Sequence, residues 1–281
     1  MQRERVADDI YVFTSDLYAQ VTAGAVVTPA GTILIDTLPF PQETLELKEM
    51  VERRLHSPVR YVVNTHYHAD HTIGTCLFPD AAVVAHSACR RLLDTIGRAG
   101  LEQSQAQVPE LADIFVVLPD IVLEEGCLNL HLGGKTVQLI PSPGHSQDSV
   151  IVLVPEDRVL FASDTVMPVP TLIDGDPECL INSLRLVASM PVDNVVQGHG
   201  EVILRGEINH TIDGDIRYLR TIQKKVAQLA QRGDGVDALK QISIESCGKS
   251  RIPMNGLVVD LHSANLRKLY GNIVVDRTDC R

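Results

Sequence analysis

Histidine and aspartate gather in one short stretch of this chain, Asn64-Thr65-His66-Tyr67-His68-Ala69-Asp70-His71, where three imidazoles and one carboxylate fall within six positions. These are the donors that Zn²⁺ and similar borderline cations take, and the whole chain has only ten histidines. A β-branched, apolar run, Val59-Arg60-Tyr61-Val62-Val63, comes just before. A strand ending there releases four donors into a loop, with alternate residues free to aim at different ions. Three further segments repeat the arrangement. His145 follows Val137 to Ile140 in Ser142-Pro143-Gly144-His145-Ser146, Asp164 follows Val159-Leu160 in Phe161-Ala162-Ser163-Asp164-Thr165, and His199 follows Val195-Val196 in Gly198-His199-Gly200. Glycines beside His145 and His199 let the backbone turn sharply and approach closely. Singly, each of these reads as a turn or a cap. Together the seven side chains are more than one tetrahedral ion needs and enough for two.

The elements that must position these donors follow from the apolar pattern. Ile10 to Phe13 and the run from Val21 to Asp36 read as strands, the latter broken at Gly24 and at a Pro29-Ala30-Gly31 turn. Pro41 opens a helix with Leu45, Leu47, Met50, Val51 and Leu55 at helical spacing, closed by Ser57-Pro58. After the histidine-bearing strand come a short helix from Thr72, a strand over 81–85 and a helix over 88–96. The segment 97–109 is polar and alanine-rich with weak helical character. From 121 to 162 strands and tight turns return, including a Gly133-Gly134 turn and a turn at Pro155-Glu156-Asp157. A helix over 178–189 leads into Asn194-Val195-Val196-Gln197. Beyond Ile203 the spacing turns helical over 207–231, 237–244 and 257–270. Two strand-rich halves, each followed by helices, predict an α/β (α+β) fold in which two sheets pack face to face with helices outside.

Composition bounds the function. With 281 residues, 44% hydrophobic and 22% charged, the chain is of ordinary globular make-up and long enough for a substantial core. A net charge of −11 argues against a protein that grips a phosphate backbone. No apolar run approaches the roughly 20 residues of a bilayer span, and the first residues lack the apolar core of a signal peptide, so a cytoplasmic location and no membrane partner are expected. Cys76, Cys89, Cys127, Cys179, Cys247 and Cys280 show no CxxC spacing and read as reduced thiols. Lys224-Lys225 reads as a solvated helix face.

His66-x-His68-x-Asp70-His71, then His145, Asp164 and His199 in that order, resemble the metallo-β-lactamase superfamily of hydrolases, over roughly 10–203 and including the strand end Leu34-Ile35-Asp36-Thr37. The resemblance implies an αββα four-layer sandwich of two mixed sheets over 1–205, with 206–281 as a helical C-terminal extension packed on it. It implies two divalent metal ions, Zn²⁺ in first place with Fe or Mn as alternatives: His66, His68 and His145 on the first, Asp70, His71 and His199 on the second, Asp164 bridging both. Asp36 then orients a ligand from behind, or is simply a strand-end aspartate facing water. Two such cations lower the pKa of a bridging water until hydroxide is available near neutral pH, with Asp70 the catalytic residue that orients it. No GxSxG elbow suggests a serine nucleophile.

Departures narrow the branch. Lactamases with a cysteine ligand carry cysteine where Asp164 stands and usually arginine where His71 stands, and another lactamase branch has serine at the bridging position. Asp164 points to the branch typified by glyoxalase II, lactonases and related hydrolases, although Tyr67 and Ala69 differ from many glyoxalase II relatives and no basic cluster suits glutathione. The expected activity is hydrolysis of a small carboxylic ester, thioester, lactone or β-lactam. Alternatives are phosphotriesterase or phosphodiesterase activity in the same site, a mono-iron redox enzyme like a persulfide dioxygenase, or a non-catalytic binding domain, against which the intact ligand set speaks. The expected partner is a small-molecule substrate and not a nucleic acid, and a homodimer is left open. Met167 to Pro170, the segment 97–119 and the helical tail are candidates for the walls and lid of a cleft.

Overall fold

The computed structural model describes residues 1–279, and Cys280 lies outside them. A first sheet runs β1 (Gln2–Ala7), β2 (Ile10–Thr14), β3 (Thr22–Thr28), β4 (Gly31–Ile35), β5 (Val59–Val63), β6 (Ala82–His86) and β7 (Ile121–Leu123) in spatial as well as chain order. Its first four strands are antiparallel and its last four parallel. The second sheet comprises β8 (Leu128–Leu132), β9 (Lys135–Pro141), β10 (Val150–Val154), β11 (Val159–Ser163), β12 (Asn194–Gln197) and β13 (Ile203–Leu204), antiparallel except for the parallel pair β11–β12. Both sheets are therefore mixed, as expected.

Alternation along the strands builds the four layers. Ile33 and Ile35 of β4 and Val150, Val152 and Val154 of β10 turn to the inter-sheet core, with Val12, Val63, Leu139 and Phe161. The residues between them point the other way. Leu34, Ala23 and Val62 meet Leu47 of α1 (Pro41–Lys48) and Val51 of the turn that continues it. On the far side, Ile151, Leu160, Ala162 and Val195 meet α5 (Pro177–Ser189), α6 (Ile208–Arg232) and α7 (Val258–Asp279) through Leu180, Leu184, Ile222, Val226 and Leu266. The C-terminal helices share one continuous core with the second sheet. Between the first sheet and that region the chain forms α2 (Ala69–Thr72), α3 (Ser87–Leu92) and α4 (Arg98–Gln105).

Two expectations are corrected, and a third is met only in part. Gly24 does not break the strand: β3 runs through it, and a Cβ there would lie 2.1 Å from the Phe161 ring, so glycine serves the close approach of the two sheets. The helix expected from Thr72 begins at Ala69, so that Asp70 and His71 ride on its first turn. Met167 and Val169 are buried, with Val169 in the core under the C-terminal helices, while Met167 and Pro168 wall a depression beside Gly200. No helix among the described residues is long and apolar enough to cross a membrane.

Candidate metal centre

The site lies along the edge where β4, β5, β11 and β12 end. Backbone hydrogen bonds tie the two sheets together there: Val150 N–H donates to the Thr65 carbonyl (2.9 Å), Thr22 N–H to Gly198 (2.9 Å) and Gly200 N–H to Gln20 (2.8 Å). Two strand ends turn through the left-handed region at residues other than glycine, Asp36 (φ 57°) and Ser163 (φ 45°), and their side chains converge on the Thr65 hydroxyl, at 2.7 Å in both cases. Such backbone persists only where the surroundings over-determine it, and it clusters at functional sites.

All seven candidate ligands converge. His66, His68, His145 and Asp164 form one group and Asp70, His71 and His199 another, with the donor atoms of each group within 4.8 Å of one another. In the first, His68 Nδ1 stands 3.0 Å from both His66 Nε2 and His145 Nε2, and Asp164 Oδ2 stands 3.3 Å from His145 Nε2. In the second, His199 Nε2 is 3.6 Å and His71 Nε2 4.0 Å from Asp70 Oδ2. Asp164 joins the groups, with Oδ1 3.2 Å from His71 Nε2 and Oδ2 3.5 Å from His199 Nε2.

Three of the rings, His71, His199 and His68, are aimed by a hydrogen bond from behind. Asp36 is buried and accepts from Thr65 N–H at Oδ1 (2.8 Å) and from the His71 Nδ1 side at Oδ2 (3.0 Å), so it is no water-facing strand end. The Ala19 carbonyl accepts from His199 Nδ1 (2.9 Å). His68 is turned the other way, with Nε2 2.8 Å from Asp174 Oδ2, an oxygen that also accepts from the Tyr67 hydroxyl at 2.5 Å. Holding one ring nitrogen in this way fixes the tautomer and leaves the other's lone pair toward the centre. Asp174 and the contact through Tyr67 were missing from the sequence reading. Asp174 sits in an irregular loop whose only local signal is the following Gly175, where a Cβ would lie 2.0 Å from the Gly144 carbonyl oxygen. Asp176 N–H donates to that same carbonyl (3.0 Å), which clamps the Asp174 loop to the loop that carries His145.

The electrostatics fit a cation. Burial pushes His66 well below the usual imidazole range and His145 down to about 4, which favours neutral, ligating rings. At His71 burial acts the same way, but the Asp164 and Asp70 carboxylates outweigh it and hold the ring well above that range. Burial would raise Asp164, yet the rings of His199, His71 and His145 hold it well below the carboxylate range. The hydrogen bond from His68 draws Asp174 down to about 2. His71 Nε2 and Asp164 Oδ1 are buried, 3.2 Å apart and without a hydrogen-bond partner, as is His145 Nδ1 on the outer side of its ring. Buried polar atoms are rarely left so. Convergent imidazoles and a carboxylate, with inward atoms unpaired, are what a cation would satisfy.

Residues 18–203 match the family model described as the metallo-β-lactamase superfamily. The chain belongs to this superfamily. It is 28% identical over 194 residues to the type 2 metallo-β-lactamase of Bacillus cereus, an alignment covering 66% of this chain and 69% of that protein. Over 181 residues it is 25% identical to a hydroxyacylglutathione hydrolase of Mesorhizobium japonicum, covering 64% of this chain and 59% of that one. A metallo-β-lactamase structure from Pontibacter korlensis superposes with a TM-score of 0.62 at 23% identity, over 75% of this chain and 97% of that one, a likeness of fold. The superfamily match ends before α6 begins, so the C-terminal helices lie outside it.

Proposed function

We propose that the chain is a dinuclear metal hydrolase in which His66, His68 and His145 hold one divalent cation, Asp70, His71 and His199 hold a second, and Asp164 bridges the two. The observation that carries this reading is the meeting of two donor groups at one buried carboxylate. Cations held by these residues would supply a nucleophile by acidifying a bound water and would act as a Lewis acid toward the scissile carbonyl. The imidazole-rich donor set favours Zn²⁺ over Mn²⁺.

The protein's own groups do the rest. Asp36, the Ala19 carbonyl and Asp174 lock the His71, His199 and His68 rings in their ligating tautomers. Asp70 is the carboxylate that orients the attacking water and takes up its proton. Its side chain is 24% exposed, against 4% for Asp36 and 5% for Asp164, so it alone of the three meets the solvent side of the centre. The bond cleaved is a carboxylic ester, thioester, lactone or lactam, and the Mesorhizobium relative's name favours a thioester among these.

Metal analysis of the purified protein, run beside a chromogenic panel of cephalosporin, lactone, thioester, aryl ester, phosphodiester and phosphotriester, tests the reading. Two zinc ions per chain, with turnover of a carbonyl substrate that His66→Ala and Asp164→Ala abolish, is the expected result. One iron with oxygen consumption would replace it by the redox alternative, and turnover confined to the phosphorus esters would replace the substrate class.

A further inference from the structure

On the His68 side of the centre, residues of α2, of the turn over 93–97 that follows α3, of α4 and of the segment 115–117 line a cavity of 280 Å³ that reaches His68 and Ala69. Tyr67, Leu93 and Leu101 form its buried part, while Ile96 (54% exposed) and Phe115 (61% exposed) stand at its rim. Thr72 and Ser104 contribute hydroxyls, and none of the lining residues is Lys, Arg, Asp or Glu. Large apolar side chains left this open beside a polar centre need an occupant. The chemistry of the lining disfavours a charged one, because a carboxylate or ammonium placed there would lose hydration with only the His68 ring and the Thr72 and Ser104 hydroxyls to pair it. The lining contrasts with that of the wider 760 Å³ depression beside Gly200, where Lys249, Glu201 and Asn255 contribute charged and polar groups.

Resting on the hydrolase reading above, we propose that this cavity binds the uncharged, apolar acyl chain of the substrate, so that the reaction is selective for medium-chain acyl esters or thioesters over short-chain or carboxylated ones. At roughly 30 Å³ per unit of about the size of a water molecule or a methylene, the volume takes about nine carbons. His68 lies at the inner end of the cavity and faces the donor group with its other nitrogen, which puts the chain's carbonyl end at the centre and its tail at Ile96 and Phe115. Each methylene that moves from water into the cavity is worth up to about fourfold in kcat/KM, the factor that ~0.8 kcal/mol corresponds to.

Gly100 supplies the test. It is exposed on α4 and lines the cavity, and a Cβ there would meet nothing within 4 Å, so Gly100→Leu adds bulk at the cavity lining with no clash at its first side-chain atom. A homologous series of p-nitrophenyl esters from acetate to dodecanoate is assayed with both proteins in their metal-loaded forms. The expected result is a rise in kcat/KM with chain length to about the octanoate, and a fall of at least tenfold in the octanoate-to-acetate ratio in Gly100→Leu. A flat profile, or the same profile in both proteins, overturns the inference and leaves the hydrolase reading standing. Should none of these esters, and nothing else on the wider panel, be turned over with two metals bound, the hydrolase reading fails, and calorimetry with octan-1-ol then decides the cavity. Saturable binding by the native protein that Gly100→Leu abolishes upholds an apolar chain site, whereas no binding overturns it.

Discussion

Gly198→Ala is expected to disable the metal centre without altering any proposed ligand. A Cβ at Gly198 would lie 1.8 Å from Asp164 Oδ1, 2.7 Å from the Ser163 carbonyl carbon and 2.8 Å from Asp164 N. Ordinary contact begins near 3.4 Å, so the carboxylate oxygen would have to retreat by about 1.6 Å, some eight times the roughly 0.2 Å that ligand distances tolerate at a metal site. Rotation of Asp164 alone does not solve the problem, since two of the three atoms are backbone at the strained end of β11. Overpacking of this kind costs about 1–3 kcal/mol, which a domain with so extensive a core can absorb. A misplacement on the order of 1 Å costs about 100-fold in rate. Circular dichroism and thermal unfolding should therefore report a folded protein with a modestly lowered Tm. Metal analysis after dialysis should find one ion or fewer per chain, and kcat/KM on the best panel substrate should fall at least 100-fold. Gly206→Ala, where a Cβ meets nothing within 4 Å, is the control. Full activity with two tightly held ions in Gly198→Ala would refute the bridging role of Asp164.

Asp36→Asn keeps the shape of the side chain but puts an amide where the His71 Nδ1 side and the Thr65 hydroxyl need an acceptor. Metal affinity in competition with a chelator should drop about 10- to 100-fold, and an unchanged affinity would mean that Asp36 only supports the strand end. Remote from the centre, burial lifts the Asp215 carboxyl to about 6 against the pull of the Lys249 ammonium that donates to it. Because this folded value exceeds the ordinary 3.8, the folded state binds the extra proton, and the group's contribution to stability falls as pH rises from about 4 to 6, by up to about 3 kcal/mol. Denaturant unfolding of native protein and Asp215→Asn at pH 4.5 and pH 7 should show the native protein losing more stability, relative to the variant, at the higher pH, and parallel curves would contradict this.

The convergence of the seven candidate donors was legible in the sequence because each stands where an apolar run stops, and a strand end is a local signal. Elements visible only through distant partners were not. Gly24 looked like a breaker because nothing near it tells of the Phe161 ring from the opposite sheet. β1 is an edge strand whose Gln2, Arg3, Glu4 and Arg5 are all exposed; the charges that guard such an edge against other chains also erase its apolar alternation. Asp174 lies in a loop without period, and its grip on His68 and Tyr67 depends on a fold that draws residues over a hundred positions apart together. The same division separates chemistry from specificity. The donors must be histidine and aspartate at fixed strand ends, so chemistry writes them into the sequence. The 280 Å³ cavity needs only apolar side chains of sufficient bulk around a surface gap, a demand that Ile96, Leu101 and Phe115 meet and that many other residues could meet as well. A chain could therefore keep every candidate donor and change substrate by exchanging side chains between α3 and β7, so that on the proposed reading selectivity lies in the volume and charge of that cavity and not in the candidate metal-binding residues.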